Sequence, residues 1–175
     1  IKGGVPGDQS EIEFIEQFTY TRDNGFLLSI WQRYYEGISR ANDVIHRLGP
    51  NVSDEVKESV VAEAKFLRAY YYFHLVNIFG EIPLKIKPAY TADDLHVPTS
   101  SVAKVYERIQ TDLLDALNVL PATSLQVGRA TQGAALGLLA KVYLFQEQYQ
   151  LCLDVIEDIE LLSLYSLVPV YNQSF

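Results

Sequence analysis

Three histidines, one cysteine and a knot of acids are the side chains from which a catalytic or metal site could be built, and their spacing argues against one. His46, His74 and His96 stand far apart, with no HExxH pattern and no Cys/His pairing, so core or surface roles fit them better than zinc ligation. Glu157, Asp158 and Glu160 crowd together without the DxDxDG order of a calcium loop and read as a solvated helix face. Cys152 has Leu151, Leu153 and Ile156 for neighbours, none of them a cation that would stabilise a thiolate. There is no GxSxG elbow, Walker A loop or GxGxxG turn, and no pair of carboxylates can be singled out for glycoside hydrolysis. The sequence therefore indicates no catalytic residue, no metal and no cofactor. Gly128-Arg129 ahead of a helix could hold an anion. The run Tyr70-Tyr71-Tyr72-Phe73 could stack sugar rings, but successive helical residues point in different directions, and aromatics on a helix buried from two sides explain it better.

The 175 residues are 49% hydrophobic and 21% charged, enough for one core, and one domain over 1–175 is expected. A net charge of −8 argues against a general nucleic-acid binder, which needs a basic stripe to replace phosphate counterions. A single cysteine excludes an internal disulfide and says nothing about compartment. Apolar runs are too short and interrupted for a bilayer span of about 20 residues.

The positioning elements are helices. The central one is expected over 54–79, where the only stops are Gly80 and Pro83. Val60, Ala64, Leu67, Tyr71, His74, Leu75 and Ile78 share one face of it at the 3.6-residue period. The other face carries Phe66, Ala69, Tyr70 and Phe73, so this helix requires neighbours on both sides. Further helices are expected over 26–48, 101–120, 131–146 and 149–162, antiparallel to their neighbours. A short one beginning at Ser10 and an extended tail after Ser163 complete the reading. Ser53, Thr131 and one of Thr99, Ser100 or Ser101 are N-cap residues. Glu63 and Arg68 lie five apart, off the favoured i, i+4 step, so each should find a partner on another helix, with Asp112 a candidate for Arg68.

A shift of 72 residues lays Ala62, Leu67, Tyr71 and Phe73 on Ala134, Leu139, Tyr143 and Phe145. That is about twice the 34-residue tetratricopeptide period, which implies two helix hairpins between the equivalent helices. The fold class is accordingly all-α: stacked helix hairpins, tetratricopeptide-like, with long irregular connectors. Cys152 takes the small packing position of the second copy.

AEAKFLRAYYYF followed by FGEIPL closely resembles the signature of the SusD/RagB family of surface nutrient-binding lipoproteins. Trp31, Tyr34, Ile38, Ala41 and Asn42 in WQRYYEGISRAND, then VYERIQTDLLDAL with LP, then GRATQGAALGLLAKVYLF, follow in the family's order. The resemblance runs from about 26 to 175. It implies a non-enzymatic, lipid-anchored outer-membrane protein that holds an oligosaccharide at the cell surface beside a TonB-dependent, SusC-like transporter. It also implies that this chain is the helical-repeat portion of a longer protein. Trp31, Asn42, Glu63, Arg68, Asp112 and Cys152 are then structural.

Within that reading, the irregular stretch from Phe79 to Pro98 is the candidate site. Phe79 and Tyr90 offer faces for a sugar ring, Glu81, Asp93 and Asp94 offer acceptors for hydroxyls, and prolines 83, 88 and 98 limit the entropy lost on ordering. The competing reading is that this loop packs under another part of the protein. The alternative function is a tetratricopeptide-like adaptor gripping a peptide or protein partner.

Overall fold

The computed structural model describes residues 10–166. Among them run α1 (Ser10–Glu16), α2 (Gly25–Arg47), α3 (Asp54–Phe79), α4 (Val102–Leu117), α5 (Gln132–Phe145) and α6 (Tyr149–Leu161). Two-residue strands β1 (Ile82–Pro83) and β2 (Thr99–Ser100) pair antiparallel and close the base of the loop between α3 and α4. The sequence had marked that stretch as wholly irregular. The tail expected after Ser163 lies mostly outside the described residues.

Local signals explain the boundaries. Asn24 caps α2, accepting from Leu27 N–H at 3.1 Å, and its amide donates to Glu11 O at 2.9 Å, which docks α1. The Glu11 carboxylate also accepts from Gly25 N–H at 3.0 Å, placing a negative charge at a helix N-terminus. Ser101 and Thr131 cap α4 and α5 through their hydroxyls, whereas Ser53 occupies the N-cap of α3 without a side-chain hydrogen bond. Gly80 ends α3 at φ +73°, ψ −120°, a conformation that strains any residue with a Cβ. Helix α4 stops at Leu117 rather than at 120, with Val119 and Leu120 N–H both folding back onto Ala116 O.

Neighbouring helices run antiparallel. Along α2 and α3, Trp31 meets Phe79, Tyr34 meets Tyr71 and Asn42 meets Arg68. Along α3 and α4, Lys65 meets Asp115, Arg68 meets Asp112 and Asn77 meets Tyr106. Helix α5 lies parallel to α3, since Glu63 pairs with Arg129 just before α5 and Phe73 touches Phe145 near its end. The core between them holds Tyr72, Leu75, Ile109, Leu113, Leu139 and Val142.

Helix α3 has neighbours on both sides, α2 on one and α4 with α5 on the other, and the repeat spacing is corrected. On the stripe of Val60, Ala64, Leu67, Tyr71, His74, Leu75 and Ile78, Ala64 and Leu75 are buried while Leu67 and Ile78 stay 43% and 45% exposed, and Ala62, Ala69, Tyr72, Phe73 and Val76 are buried as well. A helix apolar on two faces has no single moment to show which face is covered, and α4 and α5 cover the second one. The repeat arithmetic also changes. Helices α3/α4 and α5/α6 are consecutive hairpins with one helix, not two hairpins, between α3 and α5; the surplus length is the long α3–α4 loop. The aligned positions differ in burial too, Leu67 being exposed and Leu139 buried.

Candidate functional site

Past the β1–β2 pairing, the α3–α4 loop is a strap laid across α2 and α3, with carbonyls and an amide of Pro83 to Ile86 held by side chains. Tyr35 Oη donates to Pro83 O at 2.7 Å. Tyr72 Oη donates to Lys85 O and accepts from Lys85 N–H, both at 2.7 Å. Asn42 Nδ2 donates to Lys85 O at 2.9 Å, and Ile86 O accepts from His46 Nε2 at 3.0 Å and from Arg68 Nη1 at 3.2 Å. Burial raises both phenols, and for Tyr72 the proximity of Tyr35 adds to this, so each stays a neutral hydroxyl able to donate.

Beneath the strap sits a buried charged network. Arg68 grips Asp112 through two parallel hydrogen bonds of 2.8 Å and Asn42 Oδ1 at 2.7 Å. Arg108 approaches the same carboxylate at 3.4 Å from one turn away. A buried guanidinium needs its donors filled. The strap carbonyl of Ile86 fills one of them, which is why α2, α3, α4 and the strap meet at this point.

Beyond Pro88 the loop turns outward. Asp94 Oδ2 accepts from Tyr90 N–H at 3.0 Å, Thr91 N–H at 2.8 Å and Thr91 Oγ1 at 2.9 Å, a reciprocal turn resembling a capping box. The Thr91 hydroxyl first, then these two amides, hold the Asp94 carboxyl below the usual carboxylate range. The Tyr90 ring is exposed and lies over the Arg47 guanidinium, 5.0 Å from its centroid, while Asp43 holds Arg47 from one helical turn away.

The structure does not bring the candidate site residues together. Phe79 packs edge-on against Trp31 at 5.1 Å, near the start of α2, with Glu81 exposed just beyond it. Tyr90, Asp93 and Asp94 stand at the other end of α2, by Arg47. Trp31 and Arg47 are about 24 Å apart at 1.5 Å per helical residue, so one sugar ring cannot touch both groups. The tip offers one face of Tyr90 and the exposed carboxylate of Asp93; Asp94 spends one oxygen on its own turn. The residues that aim the loop are Tyr35, Asn42, His46, Arg47, Arg68 and Tyr72. Asn42 and Arg68 were expected to be structural, but the strap that these residues hold was not legible in the sequence because the partners lie up to 48 positions away.

Glu63 meets Arg129, with Nε at 2.8 Å from Oε1, and Cys152 is buried between α5 and α6. Among the described residues no group of His, Cys, Asp or Glu is arranged to hold a metal ion, and no helix is long and apolar enough to cross a membrane. An open groove of about 250 Å³ lies between α2 and α3, lined by Gly37, Ala41, Val44, Val60, Ala64 and Leu67 among others.

Comparisons with known proteins bear on this arrangement. Residues 5–144 match a SusD-like family model described as "Starch-binding associating with outer membrane". The chain is 33% identical over 149 residues to SusD-like protein P2 of Formosa agariphila, covering 84% of this chain and 30% of that protein. A solved structure named a laminarin binding SusD-like protein is 34% identical with a TM-score of 0.84, over 90% of this chain and 34% of its own. Another, solved with xylogluco-oligosaccharide, is 26% identical with a TM-score of 0.83, over 98% of this chain and 36% of its own. The chain thus spans about a third of the length of these relatives. The stacked hairpins and the family model, which takes in most of the chain, lead to one conclusion: the chain belongs to the SusD-like family.

Proposed function

We propose that this chain is the helical-repeat portion of a non-enzymatic surface protein that holds an oligosaccharide for uptake through a TonB-dependent, SusC-like outer-membrane transporter, the whole being lipid-anchored at the outer membrane. The observation that carries the reading is the likeness, over nine-tenths of the chain, to a structure named for laminarin binding. The likeness to a structure holding xylogluco-oligosaccharide supports a glycan as the ligand class.

The geometry fits a supporting role for most of the chain. Among the candidate residues, the exposed group at the loop tip pairs a ring face of Tyr90 with the Asp93 carboxylate as an acceptor for hydroxyls, above the strap. Phe79 and Glu81, at the far end of α2, would serve a second contact or none. Calorimetry on the polypeptide as its gene encodes it, titrated with laminarin and xyloglucan oligosaccharides, tests the reading. Binding of either supports it, and Tyr90→Ala is expected to weaken that binding about tenfold, the loss of one stacking contact of roughly 1.4 kcal/mol. Absence of binding to any glycan overturns it. Unchanged affinity in both Tyr90→Ala and Glu81→Ala removes the loop from the site and leaves the chain as scaffold and transporter contact.

A further inference from the structure

Tyr90 is 68% exposed at the tip of a long loop, yet both its backbone and its ring have fixed partners. The Tyr90 amide donates to Asp94 Oδ2 at 3.0 Å, inside the turn that Asp94 makes with Thr91. That bond sets the backbone and leaves the side-chain torsions free. The ring is met by Arg47, whose guanidinium carbon lies over it at 5.0 Å from the centroid. Arg47 is in turn held where it stands. It is the last residue of α2, where the negative end of the helix dipole favours a cation, and its Nε is 3.1 Å from Asp43 Oδ1 one turn earlier. We propose that Arg47 is a positioning residue for Tyr90: backed by Asp43, it keeps the ring in one orientation and covers one face, so that a pyranose stacks only on the other. The proposal rests on the reading of Tyr90 as a sugar-stacking residue.

The physical gain is pre-organisation. An exposed aromatic side chain samples several rotamers, and a ligand that stacks on it has to offset the entropy of selecting one. A cation already seated against the ring makes that selection before the ligand arrives. The same helix carries its own control for the plainer reading of Arg47 as half of a surface ion pair. Arg40 pairs with Glu36 at the same four-residue step on α2, and among the described residues it makes no cation–π contact. An ion pair by itself therefore has no influence on Tyr90, whereas Arg47 reaches a ring 43 positions away in sequence. A direct contact between Arg47 and the sugar is the other competing role, and it differs in one respect: its effect would not depend on the presence of the Tyr90 ring.

The test uses the polypeptide as its gene encodes it, with 3-fluorotyrosine in place of Tyr90 for fluorine NMR. Arg47→Met keeps the aliphatic stem and removes the cation, Arg47→Lys keeps a cation, and Arg40→Met is the ion-pair control. Without ligand, Arg47→Met is expected to move the fluorine resonance to its position in denaturant and to narrow it. Arg47→Lys should keep most of the native displacement, and Arg40→Met should leave it unchanged. In calorimetry with laminarin or xyloglucan oligosaccharides, Arg47→Met should weaken binding by about two- to fivefold, the worth of an exposed cation–π contact, with partial rescue in Arg47→Lys. The same change in a Tyr90→Ala background should cost nothing further. A resonance unmoved by Arg47→Met overturns the proposal. So does unchanged affinity in Arg47→Met where Tyr90→Ala weakens binding, and so does an equal loss in both backgrounds, which would make Arg47 a direct ligand contact. The expected resonance shift in a protein that binds no glycan sinks the glycan-binding reading and leaves Arg47 holding the ring; binding that depends on Tyr90 with an unmoved resonance sinks the positioning role alone.

Discussion

Arg68 on α3 and Asp112 on α4 face each other through two parallel hydrogen bonds of 2.8 Å, with 3% and 0% of their surfaces exposed. The pair is separated by 44 positions in sequence and sits where three helices and the strap converge. Such a pair is weak evidence for net stability, yet removing one partner strands a buried charge. Arg68→Ala is therefore expected to cost about 3–5 kcal/mol, which in a domain of this size lowers the melting temperature by roughly 6–20 °C. Arg68→Lys should recover little, because an ammonium cannot reproduce the fork that reaches Asp112, Asn42 and Ile86 together. A melting temperature within a degree of wild type for Arg68→Ala would show that the network contributes nothing.

Tyr72 is the sole hydrogen-bond partner of Lys85 N–H among the described residues, whereas Lys85 O also receives Asn42. Tyr72→Phe keeps the ring in the core and removes only the hydroxyl. A cost of about 1–3 kcal/mol is expected from the stranded amide. Hydrogen exchange at Lys85 should accelerate while exchange in mid-α3 changes far less. Equal acceleration at both places would mean the strap is not held locally by this bond.

Gly37 and Gly137 both lie inside helices, and the same substitution is expected to act on them with opposite sign. A Cβ at Gly37 would overlap the Tyr71 ring, while one at Gly137 meets nothing within 4 Å. Gly137→Ala should stabilise by about 0.5–1 kcal/mol through helix propensity. Gly37→Ala forfeits that gain against an overpacking cost of roughly 1–3 kcal/mol. Urea midpoints that shift the same way in both variants would refute the packing of Tyr71 on Gly37.

Cys152 is 8% exposed between α5 and α6. A thiol reagent should label it slowly in the native protein and at full rate in denaturant. Cys152→Ala is expected to be mild, and Cys152→Leu to cost about 1–3 kcal/mol by overfilling the contact between the two helices. Rapid stoichiometric labelling without denaturant would contradict the packing.

His74 packs against Tyr34, Tyr70 and Phe73, and burial first, then the Lys141 cation on α5, lowers its pKa from 6.5. The folded state therefore favours the neutral ring. The stability this provides is complete above the unfolded value of 6.5 and is lost progressively as the pH falls through the lower folded value. Thermal melts of wild type should fall between pH 7 and 5 more steeply than those of His74→Gln. Parallel curves would show that His74 titrates freely.

The helices were legible in the sequence for local reasons. Propensity, a 3.6-residue period and stop signals such as Gly80 and Pro83 act over a few residues, and they placed α2, α3, α5 and α6 within a residue or two. The motif run from Trp31 to Phe145 was enough to suggest the family. What the sequence by itself determined is thus the set of α-helices, their order and the lineage.

Tertiary structure decided which surfaces those elements use. Tyr35, Asn42, His46, Arg68 and Tyr72 carry no mark in sequence that they hold a strap, because each acts on a backbone group 13 to 48 positions away. Phe79 and Tyr90 look close when counted along the loop. They part because the loop runs the length of α2 and leaves one at Trp31 and the other at Arg47. The apolar stripe of α3 was plain in the periodicity, but periodicity reports that a face is apolar and not what covers it. Coverage depends on where other helices find room to pack: α2 lies on Tyr71 and His74 of the stripe, and α4 and α5 packed on the other side.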